Sequence, residues 1–400
     1  AGGTRSTTER APLRGILVVC EVGIVVVLLA GAGLLLRSYI NLERVPTGFS
    51  STTLSMKVRM RDRFKTAEQR SAAIGTLLTQ MRGLTGVQQA GVINSLPFGD
   101  NQGAQTFWLQ GFPNRKGQMV NASSASAGYF SAMGIPLLKG QLFSSDYFTK
   151  EAPEVIINQS FARTYFADGD PIGKWISYVQ PDNPHQTPQD PKTIVGVVAD
   201  NRGWDVTKPP QPQIFHPAGD LDDFYLVVRS LLPARDVVDH ADSVLRGINT
   251  HLTVSQVHTM RELVSESTAR QRFQMVLLTL FAAMALLLAL VGFYGLLAYT
   301  ARRRSAEMAV RIALGATRAH ILQLVVRHGL RLVLIGLVLG SGAAIALTRL
   351  LAASLFQVSP LDPLTFILVL ALLLLVTVAA CIIPAWRAAN TDPMRTLRCE

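Results

Sequence analysis

Cysteine is nearly absent from this 400-residue chain: Cys20, Cys381 and Cys399 are its only three. The long polar stretch from Asn41 to Arg272 has none, which excludes a disulfide framework there, and no Cys/His spacing has the pattern of a metal site. Charge is scarce too, at 16% of residues against 49% hydrophobic. With a mean hydropathy of +0.28, the chain is too apolar for an ordinary soluble protein. Acids are the scarcer sign, 27 against 38 Lys and Arg, for a formal net charge of +11. A nucleic-acid binder would gather that charge into a patch with base-contacting motifs. Here much of it flanks apolar runs, at Arg5, Arg10 and Arg14, at Arg302–Arg304, and at Arg387, Arg395 and Arg398. That is topogenic charge, and no nucleic-acid partner is expected.

Catalytic signatures are missing as well. The nearest approach to a phosphate loop, Gly169-Asp-Pro-Ile-Gly173-Lys174-Trp175, has three residues between its glycines and tryptophan where Ser or Thr is needed. It reads as a turn into a strand. No G-x-S-x-G pentad occurs. His240, His251 and His258 form no helical H-x-x-x-H pair and read as surface or satisfied histidines. Asp220, Asp222 and Asp223 read as a solvated turn. The chain is expected to be no enzyme, with no catalytic, cofactor-binding or metal-ligating residue.

What the chain does have is four long apolar runs. Residues 16–36 are long enough to cross about 30 Å of hydrocarbon. The run is longer than a signal-peptide core of about 7–15 residues and ends at Arg37 without a cleavage pattern, so an uncleaved anchor is expected. Glu21 sits one turn inside it, an intramembrane polar group and a functional candidate. The plainer alternative is a glutamate hydrogen-bonded to a neighbouring helix for assembly. Residues 273–299 form the second span, expected to continue the polar helix 262–272 as one long helix. Residues 332–350 form the third, where Gly336 and Gly340 make a G-x-x-x-G helix-packing face. Residues 364–383 form the fourth, opened by Asp362-Pro363 and closed by Pro384.

Between the second and third spans lies the arginine-rich loop 300–331, which the positive-inside rule assigns to the cytoplasm. Residues 1–15 and 384–400 then fall on that same side, and 37–272 and 351–363 on the other. Within the loop, Glu307 and Arg311 are spaced as a helical ion pair, and Met308 and Ile312 share a face. Gly315 offers a helix stop and Thr317 an N-cap for the next helix. The loop reads as a short amphipathic helix at the inner membrane surface, a handle for something in the cytoplasm.

The polar segment reads as strand 53–59, helix 66–82 and strand 87–93, then strand 224–228, helix 234–248 and strand 252–257. Two strand–helix–strand units of this kind fit one split βαβ sheet with its helices on one face. Residues 98–223 are richer in Gly, Pro, Asn and Gln, with short strands at 155–157, 175–178 and 193–198, and fit an inserted β-rich lobe.

Three stretches carry a resemblance to a known family: R-R-R-S-A-E-M-A-V-R-I-A-L-G-A-T at 302–317, S-P-L-D-P-L-T-F at 359–366 and P-A-W-R-A-A-N-T-D-P-M-R-T-L-R at 384–398. They resemble FtsX-like permeases of the MacB type of ABC transporter. The polar segment looks like that family's extracytoplasmic core domain, through Y-F-S-A-M-G-I-P-L-L-K-G at 129–140, D-P-I-G-K at 170–174 and I-V-G-V-V-A-D-N-R at 194–202. The resemblance implies an α+β membrane protein of four transmembrane helices. A large extracytoplasmic α/β porter-like lobe, with its inserted β-rich lobe, would lie between helices 1 and 2. It also implies a bacterial inner-membrane protein with both termini cytoplasmic, working as a permease or mechanotransmission subunit beside a second permease unit, a copy of itself or a fused sibling. A cytoplasmic ABC ATPase would hold the ATP, since no cofactor is expected on this chain, and would grip Arg304, Glu307, Met308, Arg311, Ile312, Gly315 and Thr317. A periplasmic partner is a further expectation. The start at Ala1 and the leading A-G-G-T-R-S-T-T-E-R resemble the joint inside duplicated permeases, of which this chain resembles the second unit. The alternative function is a non-transporting signalling or scaffold protein that binds an envelope partner.

Overall fold

The computed structural model describes residues 10–60, 63–99, 103–110, 117–144, 153–167, 169–179, 191–203, 205–219, 221–303, 318–352 and 355–389. In chain order these form α1 (Arg10–Glu43), β1 (Leu54–Arg59), α2 (Ala67–Gly83), β2 (Val87–Ile93), β3 (Gly103–Leu109), β4 (Gln118–Ala125), α3 (Ala127–Met133), β5 (Leu137–Gly140), β6 (Glu154–Asn158), α4 (Gln159–Phe166), β7 (Trp175–Ser177), β8 (Lys192–Val198), β9 (Gln213–Pro217), β10 (Asp223–Ser230), α5 (Ala234–Ile248), β11 (Val254–Thr259), α6 (Met260–Ser267), α7 (Ala269–Arg303), α8 (Arg318–Thr348) and α9 (Pro363–Ala389). They divide into two units, residues 45–268 and the helical remainder.

In the first unit, four strands run in the order β11-β1-β10-β2, each antiparallel to its neighbours. The strand pairs of the two strand–helix–strand units therefore interleave, which is the split βαβ arrangement. Alternation along β10 sorts the layers. Phe224, Leu226 and Val228 face α2 and α5, packing with Met56, Ile74, Leu77, Val237 and Leu245. Tyr225 and Val227 face the other way, with Tyr129, Phe130 and Met133 of α3. Helices thus cover both faces, where the sequence pointed to one. The reason is Gly91: a β carbon there would stand 2.2 Å from the Tyr129 nitrogen, so only a bare backbone lets α3 settle on β2.

The second lobe closes on itself. Strand β4 pairs with β3, β3 with β7, β7 with β8, β8 with β6, β6 with β9, and β9 returns to β4. Closure leaves no open edge in this ring, and Phe107, Leu109, Ile157, Phe161, Ile176 and Ile194 share its core. One pair, Ile93 with Ala125, joins the ring to the first sheet. Strands β3, β4, β5 and β9 and helices α3 and α4 escaped the sequence reading.

The caps follow ordinary chemistry. Thr66 with Gln69 and Thr259 with Glu262 form capping boxes at α2 and α6. Asn158 caps α4 and also accepts the Gln213 amide. Asp200, within the quoted I-V-G-V-V-A-D-N-R stretch, accepts the Ser160 amide at 2.7 Å and pairs with Arg163, so this motif ties β8 to α4. In D-P-I-G-K, Asp170 accepts the Ile172 amide, and Gly173 turns at φ +80° into β7. It is a turn. Asp222 and Asp223 keep solvent exposure at the turn into β10, as read, and lie 3.8 Å from Arg70 and Arg59 in loose ion pairs. His240 departs from the surface reading, because its Nε2 is buried.

Four helices in the second unit are long and apolar enough to cross a membrane: α1 over Gly15–Glu43, α7 over Ala269–Leu296, α8 over Leu330–Thr348 and α9 over Pro363–Ala380. Two expectations are corrected here. The polar helix before the second span is not continuous with it. Helix α6 ends at Ser267, where the Thr268 amide and hydroxyl both turn back to the Val264 carbonyl, and α7 starts afresh at Ala269. Nor does Pro384 close the fourth helix, which runs through it to Ala389. A proline inside a helix removes one backbone bond and need not end it.

Candidate functional site in the membrane helices

Helix α1 is the one the others are built around. Its apolar residues Val18, Val22, Val25, Val26 and Ala30 share a core with Phe293 of α7, Val333 and Leu337 of α8, and Val369 and Leu373 of α9. Lipid tails supply no hydrophobic drive between helices, so contact depends on close packing. The glycines of α1 provide it, each toward a named neighbour. A β carbon on Gly31 would stand 2.9 Å from the Leu278 side chain, and one on Gly33 2.8 Å from Thr365.

Gly336 and Gly340 lie on the seam with α8. A β carbon on Gly336 would stand 2.8 Å from Val22 Cβ, and one on Gly340 would stand 2.8 Å from Gly23 Cα. The backbones of α1 and α8 touch at this point. Gly23 was missed in the sequence because its partners lie more than 300 residues away and α1 carries no G-x-x-x-G of its own at that position.

Glu21 faces α7. Its Oε2 lies 2.6 Å from where Gly292 would carry a β carbon, so the carboxyl group rests over bare backbone. No hydrogen bond or ion pair joins Glu21 to another described residue.

The opposite end of α1 carries a polar clamp. Arg37 pairs with Asp362. The same Asp362 oxygen accepts the Thr365 hydroxyl at 2.6 Å and the Thr365 amide at 3.0 Å, capping α9. Ser38 Oγ accepts the Phe356 amide at 2.8 Å, and Asn41 donates to the Gln357 carbonyl. Thr365, with help from Arg37, holds the Asp362 carboxyl below the usual carboxylate range. This explains why α1 persists to Glu43, well past its apolar run, and gives S-P-L-D-P-L-T-F a physical role. The arrangement couples the helices to one another. Among the described residues no group of three or more His, Cys, Asp or Glu is placed to hold a metal.

The expected coupling residues Arg304, Glu307, Met308, Arg311, Ile312, Gly315 and Thr317 lie outside the described residues.

Two family profiles cover this chain in tandem, the MacB-like periplasmic core domain over residues 25–248 and the FtsX-like permease C-terminal region over residues 279–393. The first alone spans more than half the sequence. The chain belongs to the MacB/FtsX permease family. This permease is 24% identical over 292 residues to the probable export ATP-binding/permease protein MacB of Pseudomonas entomophila, covering 70% of this chain and 42% of that one. It is 24% identical over 298 residues to the macrolide export ATP-binding/permease protein MacB of Chromobacterium violaceum, covering 70% and 44%. The permease thus spans under half the length of these relatives. Among solved structures, the periplasmic region of MacB from Actinobacillus actinomycetemcomitans aligns at 12% identity and a TM-score of 0.35, covering 58% of this chain and 98% of that one. Family and helices together make this a multi-pass protein of the bacterial inner membrane and a permease component of the ABC-transporter class.

Proposed function

We propose that this permease is a mechanotransmission subunit: a cytoplasmic ATPase grips residues 304–317, and the helices carry the resulting motion to the extracytoplasmic domain for export or envelope transport. The observation that carries the reading is the interlock of α1. It touches α8 through bare glycines, sets its own Glu21 over Gly292 of α7, and is clamped to the start of α9 by Arg37 and Asp362. Packing this close moves as a body rather than deforming continuously, which is what transmission requires. The positive loop 300–331 then lies in the cytoplasm with both termini, and the core domain outside.

In this reading Glu307, Arg311 and Gly315 shape the handle, while ATP is held by the partner ATPase. A second permease unit, a copy or a fused sibling, completes the transporter, and Glu21, Gly336 and Gly340 keep the helices in register. The experiment is a pair of variants, Glu307→Lys and Gly315→Pro, expressed in a deletion strain. Loss of function at normal membrane abundance is the expected result. Full complementation by both would remove the handle from the account.

A further inference from the structure

The end of the helical unit from which the chain runs into the core domain is basic. Residues 37–44, 269–272 and 349–363 carry five arginines, Arg37, Arg44, Arg270, Arg272 and Arg349, against two acids, Glu43 and Asp362. Arg37 and Asp362 neutralise each other in the clamp. Glu43 faces the Tyr39 hydroxyl one turn back on α1. Glu266, four residues before Arg270, lies 3.9 Å from His258 instead. Arg44, Arg270, Arg272 and Arg349 are all exposed, and no ion pair joins any of them to a described acid. In the orientation proposed above this is the outer side, where arginine works against insertion. Topogenesis therefore does not account for them.

Exposed apolar surface runs down from these charges. On α7, Arg270, Phe273, Leu277 and Leu280 follow helical spacing, with Phe273 67% and Leu280 58% exposed. Arg349 follows α8 directly, with Val338 and Ile345 exposed below it on the same face. The two arms meet over α1. The Leu278 and Leu351 side chains lie 2.9 and 3.6 Å from where Gly31 would carry a β carbon. Arg272 stands six residues beyond Leu278, about 9 Å along the helix, and its charge acts on the Tyr39 hydroxyl. Tyr39 has the character of an interfacial aromatic, and the long stems of Arg272 and Arg349 carry both guanidinium groups into the headgroup layer.

We propose that this end of the helical unit binds an anionic phospholipid, its phosphate held by Arg272 and Arg349. One acyl chain lies along Phe273, Leu277 and Leu280 of α7, the other along Ile345 and Val338 of α8. Five arginines against two acids select a headgroup of net negative charge. A zwitterionic headgroup brings its own ammonium, which already balances its phosphate. Binding needs no ATPase, and the orientation only names the leaflet, so the proposal stands or falls separately from the transport reading.

The test uses the full chain in nanodiscs of phosphatidylcholine doped with phosphatidylglycerol that carries a diazirine close to its glycerol, followed by photolysis and peptide mapping. Adducts should map to residues 270–277 and 345–351, about tenfold above those from phosphatidylcholine bearing the same diazirine. The pair Arg272→Gln and Arg349→Gln should bring them down to the phosphatidylcholine level with the thermal transition unchanged. The pair Arg272→Lys and Arg349→Lys should keep most of them, and Arg331→Gln, near the other end of α8, should leave them as they are. Equal labelling by the two lipids, adducts confined to the opposite end of the helices, or a glutamine pair that labels like the parent would each overturn the proposal.

Discussion

Gly23 and Gly340 face each other across the seam between α1 and α8, and the contact is asymmetric. A β carbon on Gly340 would stand 2.8 Å from Gly23 Cα, whereas one on Gly23 would have its nearest neighbour, Gly340 Cα, at 3.8 Å. Gly340→Ala should therefore force the helices apart and cost about 1–3 kcal/mol, the usual range for overpacking. Gly23→Ala should be nearly neutral, although it adds the same atom at the same seam. Thermal unfolding in mild detergent separates the two. Equal effects would mean that the seam is not where the structure puts it.

In the core domain, Gly91→Ala places its β carbon 2.2 Å from the Tyr129 nitrogen and 2.5 Å from the Gly128 carbonyl carbon, both backbone atoms that cannot swing aside. Helix α3 must lift off β2, and the expected loss is at least about 3 kcal/mol, because Tyr129 and Phe130 are drawn out of the core with it. Gly247→Ala, in α5 with nothing within 4 Å of the new atom, should stabilise by roughly 0.5–1 kcal/mol through helix propensity. Chemical denaturation with a tryptophan fluorescence readout measures both.

The Arg37–Asp362 clamp predicts an acid limit. The folded value for Asp362 lies below its unfolded value of about 3.9, so its contribution is fully present above that point. It is lost as pH falls through the lower folded value. The parent should lose stability over a window at and below about pH 4. Asp362→Asn should flatten that part of the profile while keeping a competent N-cap, and Asp362→Ala should cost about 1 kcal/mol more through the lost cap. An unchanged acid profile in Asp362→Asn would show that another group sets the limit.

Period and composition were enough to read the four apolar runs and the two strand–helix–strand units, because a span needs continuous apolarity and a half-buried strand needs alternation. Helix 234–248 and strand 87–93 fall at the expected residues. The closed ring was harder. Strand β3 shows exposed residues over half its length and β5 over all of it, so neither carries a clean alternating pattern. Gly336 and Gly340 stood out as a motif, but Gly23, Gly292 and the Arg37–Asp362 pair are defined only by neighbours distant in sequence. Local reading cannot supply a partner 325 residues away.

The central claim is that this permease is driven through residues 304–317. The most direct measurement is purification of the full chain from native membranes in mild detergent, with mass spectrometry of everything bound, beside a variant carrying Glu307→Lys and Arg311→Glu. The account predicts a stoichiometric ABC ATPase with the parent chain and its loss from the variant at equal permease yield. An envelope enzyme or sensor bound without any ATPase, or an ATPase retained undiminished by the variant, would contradict it.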